Sequence, residues 1–154
     1  MNLFEDGNRG LTFGLAGDLF AIPVSLVRDI LDTQPVTDVP TARPFVRGLI
    51  NVRGRVVPLV DLRIKFGLPV GETTGDTRFV VIETPVDGER TTLALRADKV
   101  FEVCDITTIA AEEAPRIGLR YPPGLVRAIG RHNHRFVIIL DLDRVFATLE
   151  TPTP

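Results

Sequence analysis

Among the 154 residues there is one cysteine, no tryptophan, one tyrosine and only two histidines, and no apolar run approaches membrane-spanning length. Each scarcity removes a class of function. Cys104 alone cannot close an internal disulfide, which fits a reducing cytoplasm, and it cannot supply the several thiols usual in structural zinc sites. Runs such as Phe136 to Leu140 fall far short of the roughly 20 residues that a spanning helix requires, so no direct membrane insertion is expected. The opening MNLFEDGNRG carries acids and no apolar stretch, and does not read as a signal peptide. Net charge is −2, so no global field points to nucleic acid or an anionic membrane.

Catalytic and cofactor constellations are equally sparse. The two imidazoles of His132-Asn133-His134 lie close together on a hairpin tip, and with one thiol in the chain they read as a solvated polar turn. Nucleophilic catalysis needs a nucleophile, a base and an orienting group, and no G-x-S-x-G elbow is present. Asp61 and Asp141 invite comparison with a carboxylate pair, but each follows a matching strand, which suits capping of equivalent helices better. Gly71-Glu72-Thr73-Thr74-Gly75 lacks the lysine and the helix of a phosphate-cradling loop. No catalytic residue, metal ligand or cofactor-binding residue is assigned, no cofactor is expected, and the chain is expected not to be an enzyme.

What is present is organised around GLINVRGRVVPLVDLRIKFGL, residues Gly48 to Leu68. Two apolar runs, Leu49–Val52 and Val56–Val60, flank Arg53-Gly54-Arg55, a hairpin in which Gly54 takes a positive φ and two arginines stand at the tip. Pro58 has no N–H for a ladder, so an edge or bulge is expected there. Asp61 should cap a short helix, Leu62 to Phe66, stopped by Gly67. Upstream, Leu11, Phe13 and Leu15 alternate before a turn at Gly17-Asp18 and a return over Leu19 to Ile22. Pro23 suits the first position of a helical turn, Val27 to Leu31 a strand, and the proline-bearing Gln34 to Pro44 a loop with a brief helical turn. Strand signals recur at Arg78–Thr84, Thr91–Leu95, Val100–Ile106, Gly124–Ile129 and Arg135–Leu140. Polar Gly71 to Asp76 reads as a linker, and Thr107 to Pro123 gives no clear pattern.

An internal repeat links the halves. Val57-Pro58-Leu59-Val60-Asp61-Leu62 matches Val137-Ile138-Ile139-Leu140-Asp141-Leu142, Phe66 matches Phe146, and Val27-Arg28-Asp29-Ile30 matches Val100-Phe101-Glu102-Val103. Aligning Gly48-Leu49-Ile50 with Gly124-Leu125-Val126 gives the second hairpin a longer tip. The reading is a mainly all-β chain of two small tandem barrels, about 11–70 and about 76–147, packed over a shared core. A basic stretch from Arg43 to Lys65 permits single-stranded nucleic-acid binding, but such barrels use aromatic platforms, and the phenylalanines here sit at positions that read as core. Arginine-rich tips suit protein docking and bidentate carboxylate pairing.

NVRGRVVPLVDLRIKF, with the preceding Pro44-Phe45-Val46-Arg47-Gly48, resembles the signature of the CheW family of bacterial chemotaxis adaptors, and the resemblance runs from about Leu11 to Phe146. It implies a single CheW-like domain over 1–154, built from two SH3-like five-stranded barrels. It also implies a non-enzymatic adaptor joining the cytoplasmic tip of a methyl-accepting chemoreceptor to the regulatory domain of a CheA-type histidine kinase. Such an adaptor would be cytoplasmic, at the membrane-associated receptor array, and would bind no nucleic acid. Adaptor and kinase domain would join barrel to barrel, with the receptor's helical hairpin against the groove between barrels. Carried over by position, the protein-binding surface comprises Val27, Asp29, Ile30, Arg53 and Gly54, with Val100 and Val103 in the second barrel. Asp29 stands where the family often has glutamate, and Arg96-Ala97 interrupts a run that is usually more apolar before Asp98. No receiver, phosphotransfer or ATPase domain is expected. Other readings are a CheW-domain scaffold governing gliding, twitching or biofilm formation, and a small nucleic-acid-binding barrel.

Overall fold

The structure, a computed structural model, describes residues 7, 9–38, 46–69, 71–86, 88–108, 121–122 and 124–147. Its strands are β1 (Arg9–Leu15), β2 (Asp18–Pro23), β3 (Val27–Asp32), β4 (Val46–Val52), β5 (Arg55–Val60), β6 (Arg78–Val86), β7 (Glu89–Ala97), β8 (Lys99–Asp105), β9 (Thr107–Thr108), β10 (Val126–His132) and β11 (Arg135–Leu140). Two short helices, α1 (Leu62–Lys65) and α2 (Leu142–Ala147), follow β5 and β11, and a 3-10 turn over Val24–Leu26 follows β2. Pro23 precedes that turn as its N-cap rather than occupying its first position. The brief helical turn expected before Pro44, and most of the Thr107 to Pro123 stretch, lie outside the described residues.

Local chemistry forms these elements as the sequence suggests. The Asp61 side chain accepts from the Arg63 N–H at 3.0 Å and opens α1, while Gly67, at φ 73°, closes it. Asp141 does the same for α2, accepting from the Arg144 N–H at 3.2 Å. Pro58 lies on a strand that is interior in its sheet. Leu49, opposite it, sends its N–H and C=O to Thr37 instead, and the parallel ladder with β7 begins only at Leu59. The missing donor therefore falls where neither ladder needs one.

Strand pairing corrects the division into barrels at 11–70 and 76–147. One sheet runs β8-β1-β2-β11-β10-β9 and the other β3-β6-β7-β5-β4. Each half of the chain gives its first hairpin to the other half's sheet: β1–β2 joins β8, β10 and β11, while β6–β7 joins β3, β4 and β5. The repeat itself survives this exchange. Leu59 pairs in parallel with Ala94 as Ile139 pairs with Ala21, two residues before Asp61 and Asp141 respectively. Val27 faces Ile82 as Val100 faces Phe13, and a bulge adjoins both pairs. The alignment of Gly48 with Gly124 is wrong. Val46 pairs with Val60 as Val126 with Leu140, and Gly48 with Leu59 as Ala128 with Ile139, so Gly48 corresponds to Ala128. The two tips consequently have equal length, closed by Val52 with Arg55 and His132 with Arg135.

The exchange explains the doubly apolar strands. Leu19 and Ala21 point into a small core with Ile106, Val137 and Ile139, inside the six-stranded sheet. Ile50, Val57, Leu59, Phe79, Val81 and Ala94 fill the other sheet. Alternate residues of the same strands, including Phe20, Ile22, Val60, Val80, Ile82, Leu93, Leu95, Ile138 and Leu140, meet in one cluster shared by both. Phe13, Phe20 and Phe66 stack there at centroid distances of 5.8 and 5.9 Å, and Tyr121 meets Phe20 and Phe66 edge-on. Such contacts add roughly 0.5–1.5 kcal/mol each beyond area burial. Arg96, which breaks the apolar pattern of β7, is buried. Its guanidinium donates to the Glu72 carbonyl at 2.9 Å and lies 3.4 Å from Asp98, tying the 71–76 linker to the strand.

Candidate protein-docking surface

The β4–β5 tip is a two-residue turn with Arg53 at φ 53° and Gly54 at φ 82°, a conformation whose twist matches that of the flanking strands. Asn51 Oδ1 accepts from the Gly54 N–H at 2.9 Å and holds the turn. Positive φ at arginine is uncommon, and only Gly54 was assigned it from sequence. On the opposite edge of the same sheet, Arg28 is the extra residue of the β3 bulge, which redirects the strand beyond it. Asp29 Oδ1 accepts from the Ile30 N–H at 3.0 Å, and its Oδ2 meets Arg53 Nη2 at 2.9 Å. Since β3 and β4 are the two edge strands of that sheet, this ion pair bridges the edges as the sheet curls.

The two partners differ in exposure. Asp29's side chain is 21% exposed and Arg53's 83%, so the acid acts as anchor and the guanidinium keeps donors turned to solvent. Ile30 is exposed beside them, as is Val56 just past the tip, while Val27 is half-buried against the shared core. Thus Asp29 and Arg53 are joined directly, Ile30 is adjacent in the chain, and Gly54 shapes the tip. Val100 and Val103 lie on the other sheet, on edge strand β8. Val100 packs on the shared core, and Val103 is exposed where the repeat places Ile30.

Among the described residues, three exposed apolar side chains carry no assignment from the sequence: Val56, Phe101 and Phe136. The expectation that the phenylalanines are core residues fails for the last two. β8 is an edge strand, and Arg135 and Phe136 both stand exposed at the β10–β11 tip, ahead of the buried stretch of β11. The repeat was the available signal, because Val56 and Phe136 precede Asp61 and Asp141 by the same interval. Both rings carry cations: Lys99 and Arg135 over Phe101 at 5.3 and 5.4 Å, and Arg131 over Phe136 at 5.6 Å. These rings are engaged by the chain's own charges rather than bare for base stacking.

Between the two sheets runs a groove of ≈ 400 Å³, lined by the 3-10 turn and by Arg28, Glu83 and Arg90 on one side, and by Arg127, Leu140 and the start of α2 on the other. Arg90 and then Arg28 donate to Glu83 and hold its carboxyl below the ordinary value. On β8, burial pushes the Cys104 thiol up, aided by the negative charges of Glu102 and Asp105.

Two interlocked barrels with paired charges and bare aliphatics at their edges define an interaction module. The chain belongs to the CheW-like domain family, whose description matches residues 9–150. Among relatives, it is 27% identical over 149 residues to the chemotaxis protein CheW of Rhizobium meliloti, covering 97% of this chain and 94% of that one. It is 30% identical over 138 residues to the chemotaxis protein CheW of Helicobacter pylori, covering 86% and 78%. The scaffolding protein TtCheW from Thermoanaerobacter tengcongensis has a similar crystal structure, with a TM-score of 0.72 and 25% identity over 90% of this chain and 87% of that one.

Proposed function

We propose that this chain is a non-enzymatic adaptor of chemotaxis signal transduction, coupling transmembrane chemoreceptors to a CheA-type histidine kinase in the cytoplasm. The observation that carries the reading is the extent of the family match: residues 9–150 take in both barrels and the groove between them. The Asp29–Arg53 pair with Ile30 and Gly54 forms one docking edge, and Val100 and Val103 lie on its counterpart in the second barrel. Exposed aliphatic area supplies affinity, and the charges set register and partner choice. The groove lined by Arg28, Glu83 and Arg127 is where a receptor's helical hairpin would lie. No helix among the described residues is long and apolar enough to cross a membrane. In this reading, membrane proximity would come through the receptor.

Calorimetric titration tests this reading. The untagged chain is titrated with the regulatory domain of a CheA-type kinase and with a soluble receptor-tip hairpin, both from the same genome, and in parallel with a single-stranded oligonucleotide. Binding to the two proteins and none to the oligonucleotide is the expected result. Binding to neither protein, or to the oligonucleotide alone, overturns the assignment.

A further inference from the structure

Where the first barrel ties its edges with Asp29 and Arg53, the second uses a different set of donors. The Glu102 carboxylate, the Cys104 thiol and the His132 imidazole each present a ligand atom, and these atoms lie within 4.8 Å of one another. Glu102 Oε1 and His132 Nε2 are 3.0 Å apart. Glu102 and Cys104 stand two residues apart on β8 and so share a face, while His132 arrives from the end of β10 as the sheet curls. The backbone beneath Glu102 is fixed, since the buried Thr12 hydroxyl donates to its carbonyl at 2.9 Å and accepts from its N–H at 3.2 Å.

The repeat supplies an internal control. By ladder register, Glu102, Cys104 and His132 correspond to Asp29, Leu31 and Val52. The same backbone is therefore built in the first barrel with one donor and two aliphatic residues, so neither the thiol nor the imidazole is demanded by the fold. His132 Nε2 is the ring nitrogen turned toward the Glu102 carboxylate. That nitrogen faces the carboxylate at 3.0 Å and the Asn133 amide nitrogen at 3.2 Å, and it cannot donate to one while accepting from the other. Turning the Asn133 amide over removes the conflict and sets an oxygen beside Nε2, an orientation in which a metal ion on that nitrogen would meet both the carboxylate and the amide oxygen.

We propose that Glu102, Cys104 and His132 form a binding site for a divalent cation of the zinc class at the junction of β8 with the β10–β11 tip. Mixed thiolate, imidazole and carboxylate donors suit zinc rather than magnesium or calcium. In a tetrahedral zinc site, ligand atoms stand roughly 3.2–3.8 Å apart, so the observed spread requires only small side-chain adjustments. The exposed Glu102 can make them. Binding would expel the thiol proton, leave the fourth position to water or to Asn133, and clasp the barrel edge at the place where the first barrel has its ion pair. Counting thiols along the sequence argued against a site, and a three-residue set drawn from two distant strands escapes such a count.

The test uses the untagged, reduced, full-length chain, stripped of metal by chelation and titrated with Co²⁺ and then Zn²⁺. Co²⁺ is expected to give a near-ultraviolet thiolate-to-cobalt charge-transfer band that Zn²⁺ displaces, and Zn²⁺ to raise the melting temperature. Cys104→Ser should abolish the band. His132→Ala and Glu102→Gln should each weaken binding by more than ~10-fold. His134→Ala should leave it unchanged. Circular dichroism confirms that each variant folds, and the His132 and Glu102 variants carry the test should Cys104→Ser fail to. No band in the wild-type chain overturns the site, as does undiminished affinity in His132→Ala or Glu102→Gln, or equal loss in His134→Ala. In the absence of a site, His132 and Glu102 form a simple ion pair.

Discussion

Arg53→Ala separates docking from folding more sharply than any other single change. The guanidinium meets Asp29 at 2.9 Å, yet its side chain is 83% exposed. An exposed pair contributes about 0–1 kcal/mol to folding, so the melting temperature should move little. Against a partner's carboxylate or carbonyl, a charge-assisted hydrogen bond from a presented guanidinium contributes about 1.5–3 kcal/mol, which corresponds to a roughly 10- to 150-fold weaker Kd on truncation. Calorimetric titration against the kinase regulatory domain and the receptor hairpin reads that loss directly. Arg53→Lys should also bind less well, because an ammonium lacks the planar fork and its two-point geometry. A reciprocal swap, Asp29→Arg with Arg53→Asp, distinguishes two roles. Partial recovery of binding means the pair itself is recognised, and no recovery assigns the arginine directly to the partner. Wild-type affinity of Arg53→Ala for both partners would refute the docking edge.

Three further changes probe the frame that holds this edge. Gly48→Ala would place a Cβ 2.4 Å from the Thr37 carbonyl oxygen at φ 153°, so the Thr37–Leu49 bridge must yield. Two lost hydrogen bonds plus backbone strain should cost about 2–5 kcal/mol, read from the urea unfolding midpoint, and an unshifted midpoint would contradict the bulge geometry. At Gly54, a Cβ meets nothing within 4 Å, so only the positive φ matters. Gly54→Val should cost about 1–3 kcal/mol and Gly54→Asn much less, and equal stability of the two variants would remove the turn assignment. Glu83's folded-state pKa lies below the ordinary 4.5, so its contribution to stability is present above that pH and is lost as pH falls through the folded value. Glu83→Gln should therefore flatten the acid limb of stability against pH, and an unchanged slope would deny the Arg90 and Arg28 contacts their effect.

Much of the fold was legible in short stretches because its determinants are local. Apolar alternation over Leu11, Phe13 and Leu15, the glycine turns, and an aspartate placed to cap the next helix each act within a few residues. The match between Val57–Leu62 and Val137–Leu142 revealed the duplication for the same reason, since both copies carry the same strand-and-cap chemistry. The seven positions proposed for docking rest on resemblance alone, and of them Asp29 and Arg53 meet in space.

Tertiary structure decided which hairpin joins which sheet. β1–β2 and β6–β7 are each apolar on both faces and carry equivalent ladder registers, so either hairpin satisfies the local pattern of either sheet. The choice rests on the shared core, where Phe20 stacks both on Phe13 and on Phe66 from the other sheet's half of the core. Position in the sheet likewise decided exposure, Phe101 lying on edge strand β8 and Phe136 at the β10–β11 tip, although residue type alone placed both inside. Curling of the sheets set Arg53 against Asp29, and brought His132 to Glu102 and Cys104. Contacts across a closing sheet depend on strand order and curvature, and neither is written in any one segment.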